Sequence, residues 1–219
     1  MTGDPEHMEN RFTYEKEGMQ LSFVTEDSLF SPRHADLGTE SMLSLAEAGE
    51  EDIILDLGCG YGFAGVFCYR KFSPAKLVFT DVDELAVRYA EKNALMNGVE
   101  RAEFYVGDSL SAIPADLEFS MILSNPPYHT DFSIAKRFIS GSFQRLKTGG
   151  RLLMVTKRRE WYENRLRTVF GGVKVREAED YYVFIAEKRE KRPERPAEKT
   201  MSKKLQRKYG KSAVHKKNK

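Results

Sequence analysis

From Ile53 onward, short apolar runs alternate with amphipathic segments, and this alternation restricts the fold more than any other feature of the sequence. Apolar strands that alternate with helices are typical of a parallel sheet covered by helices on both faces. The strands are predicted at residues 53–57, 77–80, 102–106, 120–124 and 151–156. The helices between and after them are predicted at residues 62–71, 83–96, 132–147 and 160–170.

Two further apolar runs, residues 173–176 and 181–186, close this part of the chain. The link between them is too short for a helical crossover, so we expect them to pair antiparallel. The predicted fold is therefore α/β: a doubly wound, seven-stranded, mostly parallel sheet with an antiparallel terminal hairpin.

The residues before the sheet predict a short β-hairpin that turns at Glu17-Gly18, followed by a helix that ends at Gly49. The hairpin is expected to cover one end of the core with Phe12, Tyr14, Leu21 and Phe23. The helix is expected to bury a stripe formed by Leu37, Met42, Leu45 and Ala46.

Charge divides the chain into an acidic body and a basic tail. Residues 187–219 contain 14 Lys or Arg and 4 Glu, a net charge of +10, whereas residues 1–186 carry 21 basic and 29 acidic side chains, a net charge of −8. The predicted organisation is a flexible start (1–9, in which Met8 can be the native start), a hairpin and helix cap (10–49), the main α/β domain (50–186) and a flexible tail (187–219). The tail can be solvated and also bind a polyanion, because clustered Lys and Arg release counterions from phosphates.

Several classes of protein are disfavoured by composition. No run of about 18 uncharged apolar residues predicts a membrane span, and the polar amino terminus does not resemble a secretory signal. Cys59 and Cys68 have neither zinc-ligand spacing nor a disulfide framework, so we expect buried packing residues in a reducing cytoplasm and no bound metal.

Polar groups follow three of the predicted strands. The first strand leads into a glycine-rich turn, Asp56-Leu-Gly58-Cys-Gly60-Tyr-Gly62, whose amides can approach an anionic group. Asp81 ends the second strand and can accept hydrogen bonds from a ribose, and Asp108 follows the third and can accept from an adenine amino group. Because ligands bind at the carboxyl ends of parallel strands, these groups predict one ligand site.

The same turn also matches a dinucleotide fingerprint, since Gly60, Gly62 and Gly65 have the required spacing and Asp81 follows at a suitable distance. Two features count against a nicotinamide or flavin. Asp56 lies where a pyrophosphate would be repelled, and hydride transfer does not require the Asn-Pro-Pro-Tyr segment described next.

Residues 122–129, Ile-Leu-Ser-Asn-Pro-Pro-Tyr-His, end an apolar strand at a diproline. Proline lacks an amide hydrogen and restricts its predecessor to extended geometry, so the strand stops there. The Asn125 side-chain oxygen and the Pro126 carbonyl are then two acceptors at a strand tip. We interpret them as groups that hold an amino group.

Together, the glycine turn, Asp81, Asp108 and the segment Asn125-Pro126-Pro127-Tyr128 resemble a class I methyltransferase that uses S-adenosylmethionine. The resemblance covers about residues 50–160 and implies a catalytic domain over residues 50–186. It assigns methyl transfer to the segment Asn125, Pro126, Pro127 and Tyr128. The implied cofactor-binding residues are Asp56, Gly58, Gly60, Gly62, Asp81, Val82, Asp108, Ser109, Asn125 and Thr39.

A second stretch narrows the resemblance. Residues 29–43, with Phe30-Ser31, Asp36 and Gly38-Thr39, and His129 after the diproline are similar to the small-domain guanine-N2 methyltransferases of ribosomal RNA. This similarity implies ribosomal RNA or a ribosomal subunit as partner, with the basic tail on RNA phosphates, and leaves the oligomeric state open, a monomer included. The implied substrate-binding residues are Phe30, Tyr128, His129, Lys157 and Arg158.

The sequence also departs from that family. A short hairpin stands where two-domain members carry a degenerate copy of the fold, and Thr156 to Tyr162 reads Thr-Lys-Arg-Arg-Glu-Trp-Tyr in place of the more usual Asn-containing run. Lys157, Arg158 and Arg159 can face phosphates, or they can cap a strand and begin a solvated helix. His129 can be a surface or packing residue. Adenine-N6 methylation, protein glutamine methylation and a noncatalytic RNA-binding module stay open as alternative functions.

Overall fold

The computed structural model describes residues 9–127 and 132–190. The strands in this part of the chain are β1 (Asn10–Lys16), β2 (Met19–Thr25), β3 (Ile53–Leu57), β4 (Lys76–Asp81), β5 (Ala102–Val106), β6 (Phe119–Ser124), β7 (Leu146–Thr156), β8 (Lys174–Ala178) and β9 (Tyr181–Glu187). The helices are α1 (Leu37–Leu43), α2 (Phe63–Phe72), α3 (Glu84–Met96), α4 (Ser133–Arg145) and α5 (Arg159–Phe170).

Seven strands form one sheet in the order β5-β4-β3-β6-β7-β9-β8. The pairs among β5, β4, β3, β6 and β7 are parallel, whereas β9 runs antiparallel to both β7 and β8. The prediction of a doubly wound sheet with an antiparallel terminal hairpin is confirmed.

The sheet separates two apolar layers. One face packs against β1, β2, α1, α2 and α3, and the other packs against α4 and α5. In β3, Ile54 lies in the first layer while Leu55 and Leu57 lie in the second, and all three are fully buried. Burial on both faces explains why the parallel strands are continuous apolar runs.

The amino-terminal hairpin forms a separate two-stranded sheet that turns at Glu17 and Gly18, both of which have positive φ. Leu21 and Phe23 are buried, and Phe12 stacks on Phe23 with ring centroids 5.3 Å apart. The side-chain amides of Asn93 in α3 and of Asn97, which caps the end of α3, hydrogen-bond the backbone of β2. The hairpin therefore covers the core as predicted.

Two helices end earlier than predicted. α1 ends at Leu43 and not at Gly49, and Leu37, expected on its buried stripe, is 56% exposed. α4 ends at Arg145 because Leu146 already has extended geometry and pairs with Phe119 at the start of β6. The apolar spacing of the sequence predicts that α4 continues, but the pairing of β7 with β6 ends the helix at Arg145.

The strand order places a topological switch between β3 and β6. From β3 the chain adds β4 and β5 on one side, and then returns to add β6 and β7 on the other. Such a switch opens a crevice at the carboxyl ends of the two central strands. None of the helices in the described ranges is long and apolar enough to span a membrane.

Candidate active site

A cavity of about 520 Å³ lies at the carboxyl edge of the sheet. It is lined by the segments that follow β3, β4, β5 and β6, together with the segment that leads into α1 and part of α4. The predicted residues that line it are Phe30, Thr39, Asp56, Gly58, Gly60, Asp81, Val82, Asp108, Ser109, Asn125, Pro126 and Pro127.

The glycine turn between β3 and α2 forms one wall. Gly58, Gly60 and Gly62 all have positive φ, which residues with a Cβ rarely adopt. Gly62 caps the start of α2 without a side-chain bond, so its close turn depends on the backbone alone. This conformation explains the glycine spacing read from the sequence.

Asp56 anchors that turn from beneath. Its Oδ2 atom accepts a hydrogen bond from the Gly65 amide at 2.8 Å, and the side chain is almost fully buried. Burial, with repulsion from Asp81, raises the pKa of Asp56 to about 7 despite the opposing bond from Gly65. In the structure, the visible role of Asp56 is to hold the first turn of α2.

Asp56→Asn is expected to alter the pH dependence of stability. Because the native pKa of Asp56 lies above the ordinary value, the native state retains a proton that the unfolded chain releases, so this group destabilises the fold as pH rises from about 4 to about 7. Each pKa unit corresponds to about 1.4 kcal/mol. The amide oxygen of Asn can still accept from Gly65, so the variant should lose less free energy of unfolding between pH 5 and 7.5 than the parent.

Urea unfolding at both pH values measures this difference, with Asp52→Asn as the control. Asp52 accepts a hydrogen bond from the Gly49 amide at the amino end of β3, outside the cavity. An equal pH dependence in the parent and in Asp56→Asn would contradict the raised pKa.

Asp81 ends β4 and faces the same turn. Its Oδ2 atom accepts from the Gly60 amide at 2.9 Å and its Oδ1 atom accepts from the Asp83 amide at 3.1 Å. A carboxylate has further acceptor positions, so both oxygens can also receive hydroxyl hydrogens. Val82, next to it, is 73% exposed, which leaves an apolar surface beside the carboxylate.

Asp108 and Ser109 follow β5. Asp108 is largely exposed, and its Oδ1 atom accepts from Arg137 Nε of α4 at 3.3 Å. Ser109 has a φ of 60°, and its carbonyl accepts from the Thr80 hydroxyl. Both residues line the cavity beside β4, the position expected for an adenine subsite.

The Asn125 side chain is held by two groups of the α1 start. Its Nδ2 atom donates to Asp36 Oδ2 at 3.0 Å and to Thr39 Oγ1 at 2.9 Å. Since a carboxylate only accepts hydrogen bonds, the amide nitrogen must face Asp36. The Asn125 Oδ1 atom is buried and has no hydrogen-bond partner among the described residues.

Asp36 and Thr39 form the cap of α1. Asp36 accepts from the Thr39 amide at 2.8 Å and from the Thr39 hydroxyl at 3.1 Å. The Thr39 hydroxyl therefore binds Asp36 and Asn125. Its contact with the cofactor, which the resemblance implies, stays a prediction. The sequence resemblance includes Asp36 but assigns it no role; the signal for that role is the Asp-x-x-Thr spacing, a helix-capping pattern that indicates a positioned carboxylate.

The residues predicted to bind substrate are only partly brought together. Phe30 lines the cavity and is 50% exposed, which suits contact with a planar ring. Lys157 places its ammonium 4.8 Å from the Tyr181 ring centroid and Arg158 lies over the Phe132 ring at 5.1 Å, but neither residue lines the cavity. Tyr128 and His129 lie outside the described residues, so their roles stay predictions.

Cys59 and Cys68 are buried and unpaired, as expected. Burial raises the pKa of both thiols. Within residues 9–127 and 132–190, no group of three or more His, Cys, Asp and Glu side chains is placed to hold a metal ion.

The cavity suits a ligand that combines an adenine, a ribose and a charged amino-acid part. It offers the Asp81 carboxylate, the exposed apolar side chains of Val82 and Phe30, and a glycine turn with approachable backbone. With the switch-point fold, these groups define a class I methyltransferase whose cofactor is S-adenosylmethionine. The chain belongs to the methyltransferase small domain family, whose model matches residues 20–186.

Comparison with individual proteins agrees with this family. The chain is 32% identical over 160 residues to ribosomal RNA large subunit methyltransferase G of Shewanella denitrificans, which covers 70% of this chain and 42% of that protein. It is 28% identical over 186 residues to ribosomal RNA small subunit methyltransferase C of Pseudomonas entomophila. That match covers 83% of this chain and 55% of the Pseudomonas protein. The chain thus spans about half the length of these relatives.

A solved structure is similar over most of the fold. It is the 16S rRNA N2 methyltransferase RsmC of T. thermophilus in complex with AdoMet and guanosine, with a TM-score of 0.76 and 26% sequence identity. The match covers 82% of this chain and 50% of that one. The sequence-based assignment to a methyltransferase family that resembles the ribosomal RNA enzymes is confirmed.

Proposed function

We propose that this protein transfers a methyl group from S-adenosylmethionine to the exocyclic N2 amine of a guanine in ribosomal RNA. The observation that carries the proposal is the fixed Asn125 amide, whose nitrogen is saturated by Asp36 and Thr39 and whose oxygen is buried and unpaired among the described residues. An unpaired buried acceptor is costly, so a donor in the ligand is the natural partner.

The chemistry of the target explains why such an acceptor is needed. The nitrogen of an exocyclic amine has its lone pair delocalised into the ring, so it must be oriented before it can attack a methyl carbon. Asn125 Oδ1 accepts one amine hydrogen and the Pro126 carbonyl accepts the other, which directs the nitrogen lone pair out of the plane toward the methyl donor. Phe30 and Tyr128 offer ring faces for the base.

The transfer forms a bond between the amine nitrogen and the methyl carbon and breaks the bond between that carbon and sulfur. The nitrogen then loses a proton to water, and S-adenosylhomocysteine is released. No nucleophilic side chain is required, because the displacement is direct.

The choice of guanine rests on two similarities. The segment from Phe30 to Thr39 supplies Asp36 and Thr39 to the Asn125 site, and the same segment carries the sequence resemblance to guanine-N2 methyltransferases. The relatives named above act, by their names, on ribosomal RNA, and the similar solved structure contains guanosine.

The test is to incubate the protein with methyl-labelled cofactor and separate samples of both ribosomal subunits, protein-free ribosomal RNA, DNA and release factor. The ribosomal samples must come from cells that lack this protein, because a site that is already methylated accepts no label. We expect the label in N2-methylguanosine after digestion of the RNA. Label in N6-methyladenosine or in glutamine, or no label in RNA, would reject the proposal.

The basic tail is proposed to supply much of the affinity for RNA. Residues 191–219 lie outside the described residues, and they contain 12 Lys or Arg and 2 Glu. A deletion should begin at residue 191 because Lys188 pairs through its backbone with Gly149 and Gly150. The deletion is expected to weaken RNA binding and to flatten its salt dependence, since each lost phosphate contact reduces the log-log slope by about 0.7 to 0.9.

Filter binding at several salt concentrations measures the slope. A matched control keeps the tail length and replaces its Lys and Arg with Gln, and it should reproduce the deletion. Cofactor affinity should be unchanged in both variants. An unaltered salt slope would show that the tail does not contact phosphates.

A further inference from the structure

Tyr181 reaches the site from a distant part of the chain. It is the first residue of β9, and its hydroxyl donates to Asp36 Oδ1 at 3.0 Å. Asp36 Oδ2 in turn accepts from Asn125 Nδ2. A continuous path of hydrogen bonds therefore joins the carboxy-terminal hairpin to the side chain that is proposed to hold the target amine.

The Tyr181 ring is closely confined. A Cβ at Gly38 would lie 2.4 Å from Tyr181 Cδ1, so α1 can approach the ring only with glycine at that position. Lys157, which directly follows β7, places its ammonium 4.8 Å from the centroid of the Tyr181 ring. With Tyr181 only 9% exposed, its hydroxyl has little freedom to leave Asp36.

Asp36 is likewise confined, because its Oδ1 binds Tyr181 and its Oδ2 binds Thr39 and Asn125. A carboxylate held at both oxygens has one rotamer and presents one acceptor to Asn125. Without the Tyr181 bond, only the Oδ2 contacts with Thr39 and Asn125 hold the carboxylate. It can then tilt about its Cβ–Cγ bond, and the direction of the Asn125 amide is less tightly fixed.

We infer that Tyr181 and Asp36 are positioning residues that orient the Asn125 amide for methyl transfer. This inference rests on the proposed function. Neither residue need touch the substrate: Tyr181 acts through Asp36, and Asp36 acts through Asn125. Positioning of this kind changes the rate of the bound complex more than the affinity for either ligand.

Tyr181→Phe is expected to lower kcat about tenfold while substrate KM and cofactor Kd stay within about twofold. Tyr14→Phe is the matched control, because the Tyr14 hydroxyl also donates to a carboxylate of α1, Glu40, at 2.9 Å. The control should lose comparable stability and keep the parental kcat. An equal kcat in the two variants would overturn the inference.

Asp36→Ser separates positioning from helix capping. Serine is a good N-cap and can still accept from the Thr39 amide, but it is too short to reach Tyr181 and Asn125. We expect kcat of the folded protein to fall about 100-fold. The thermal midpoint should fall as well, because the Tyr181 hydroxyl and one Asn125 amide hydrogen lose their acceptor, so the rate is measured well below that midpoint. Adding Tyr181→Phe to Asp36→Ser should then change kcat no further, whereas two independent structural effects would multiply.

The side-chain amide resonances of Asn125 give a readout that is independent of the substrate. Tyr181→Phe should shift these resonances or speed their exchange, and Tyr14→Phe should not. Failure of the parent protein to methylate guanine would reject the proposed function alone. Unchanged Asn125 resonances and kcat in Tyr181→Phe would reject the positioning role alone.

Discussion

Asn125→Ala is expected to lower kcat for methyl transfer by roughly 100-fold to 1,000-fold, the range found when one preorganised hydrogen-bonding group is removed from an active site. The variant removes the acceptor for the target amine but leaves the glycine turn and Asp81 in place. The affinity for S-adenosylhomocysteine should therefore change by only a few-fold. Single-turnover rates and equilibrium dialysis measure the two quantities separately.

The control for this variant is Asn97→Ala. Asn97 is a buried asparagine whose side chain binds the backbone of Ser22 and Asn93. It does not line the cavity, so its loss should reduce stability and spare the rate of the folded protein. A rate for Asn125→Ala within about threefold of the parent would remove Asn125 from the mechanism.

Asp81→Ala is expected to weaken cofactor binding by roughly 100-fold or more. Hydrogen bonds to a charged group contribute about 1.5 to 3 kcal/mol each, and the variant removes both acceptors proposed for the ribose hydroxyls. It also removes the acceptor that holds the Gly60 amide, so the glycine turn loses an anchor. Calorimetric titration with S-adenosylhomocysteine measures the effect directly.

Asp52→Ala serves as the comparison, because Asp52 also accepts a backbone amide but precedes β3 at the opposite edge of the sheet. Its cofactor affinity should match that of the parent. If the cofactor affinity of Asp81→Ala lies within threefold of that of the parent, the assignment of Asp81 to the ribose is wrong. The Asp81 carboxylate would then serve only to hold the glycine turn.

Much of the fold follows from local pattern. The apolar runs of β3 and β6 are bounded by a glycine turn and a diproline, so their ends were predicted to within one residue. The ends of α1 and α4 were not, and the end of α4 depends on what the following residues pair with. Leu146 continues a helical pattern in sequence, yet its extended pairing with Phe119 begins β7.

Some residues of the candidate site are likewise indicated by local sequence, and others are brought in only by the tertiary structure. Residues at strand tips, such as Asp81 and Asn125, could be read from sequence because parallel strands bring their carboxyl ends together. Tyr181 could not, since it lies 145 residues from Asp36 and reaches it only because β9 inserts between β7 and β8. No local signal marks a tyrosine that begins an antiparallel strand as part of a site.

By itself, the sequence determined the α/β class, the glycine turn and the acceptor at the end of β6, because each depends on backbone preferences of neighbouring residues. Only the tertiary structure decided which way the Asn125 amide faces. That direction is set by Asp36, Thr39 and Tyr181 from two remote segments. A side chain with one donor end and one acceptor end takes its orientation from partners across the fold, and those partners meet only when the sheet is complete.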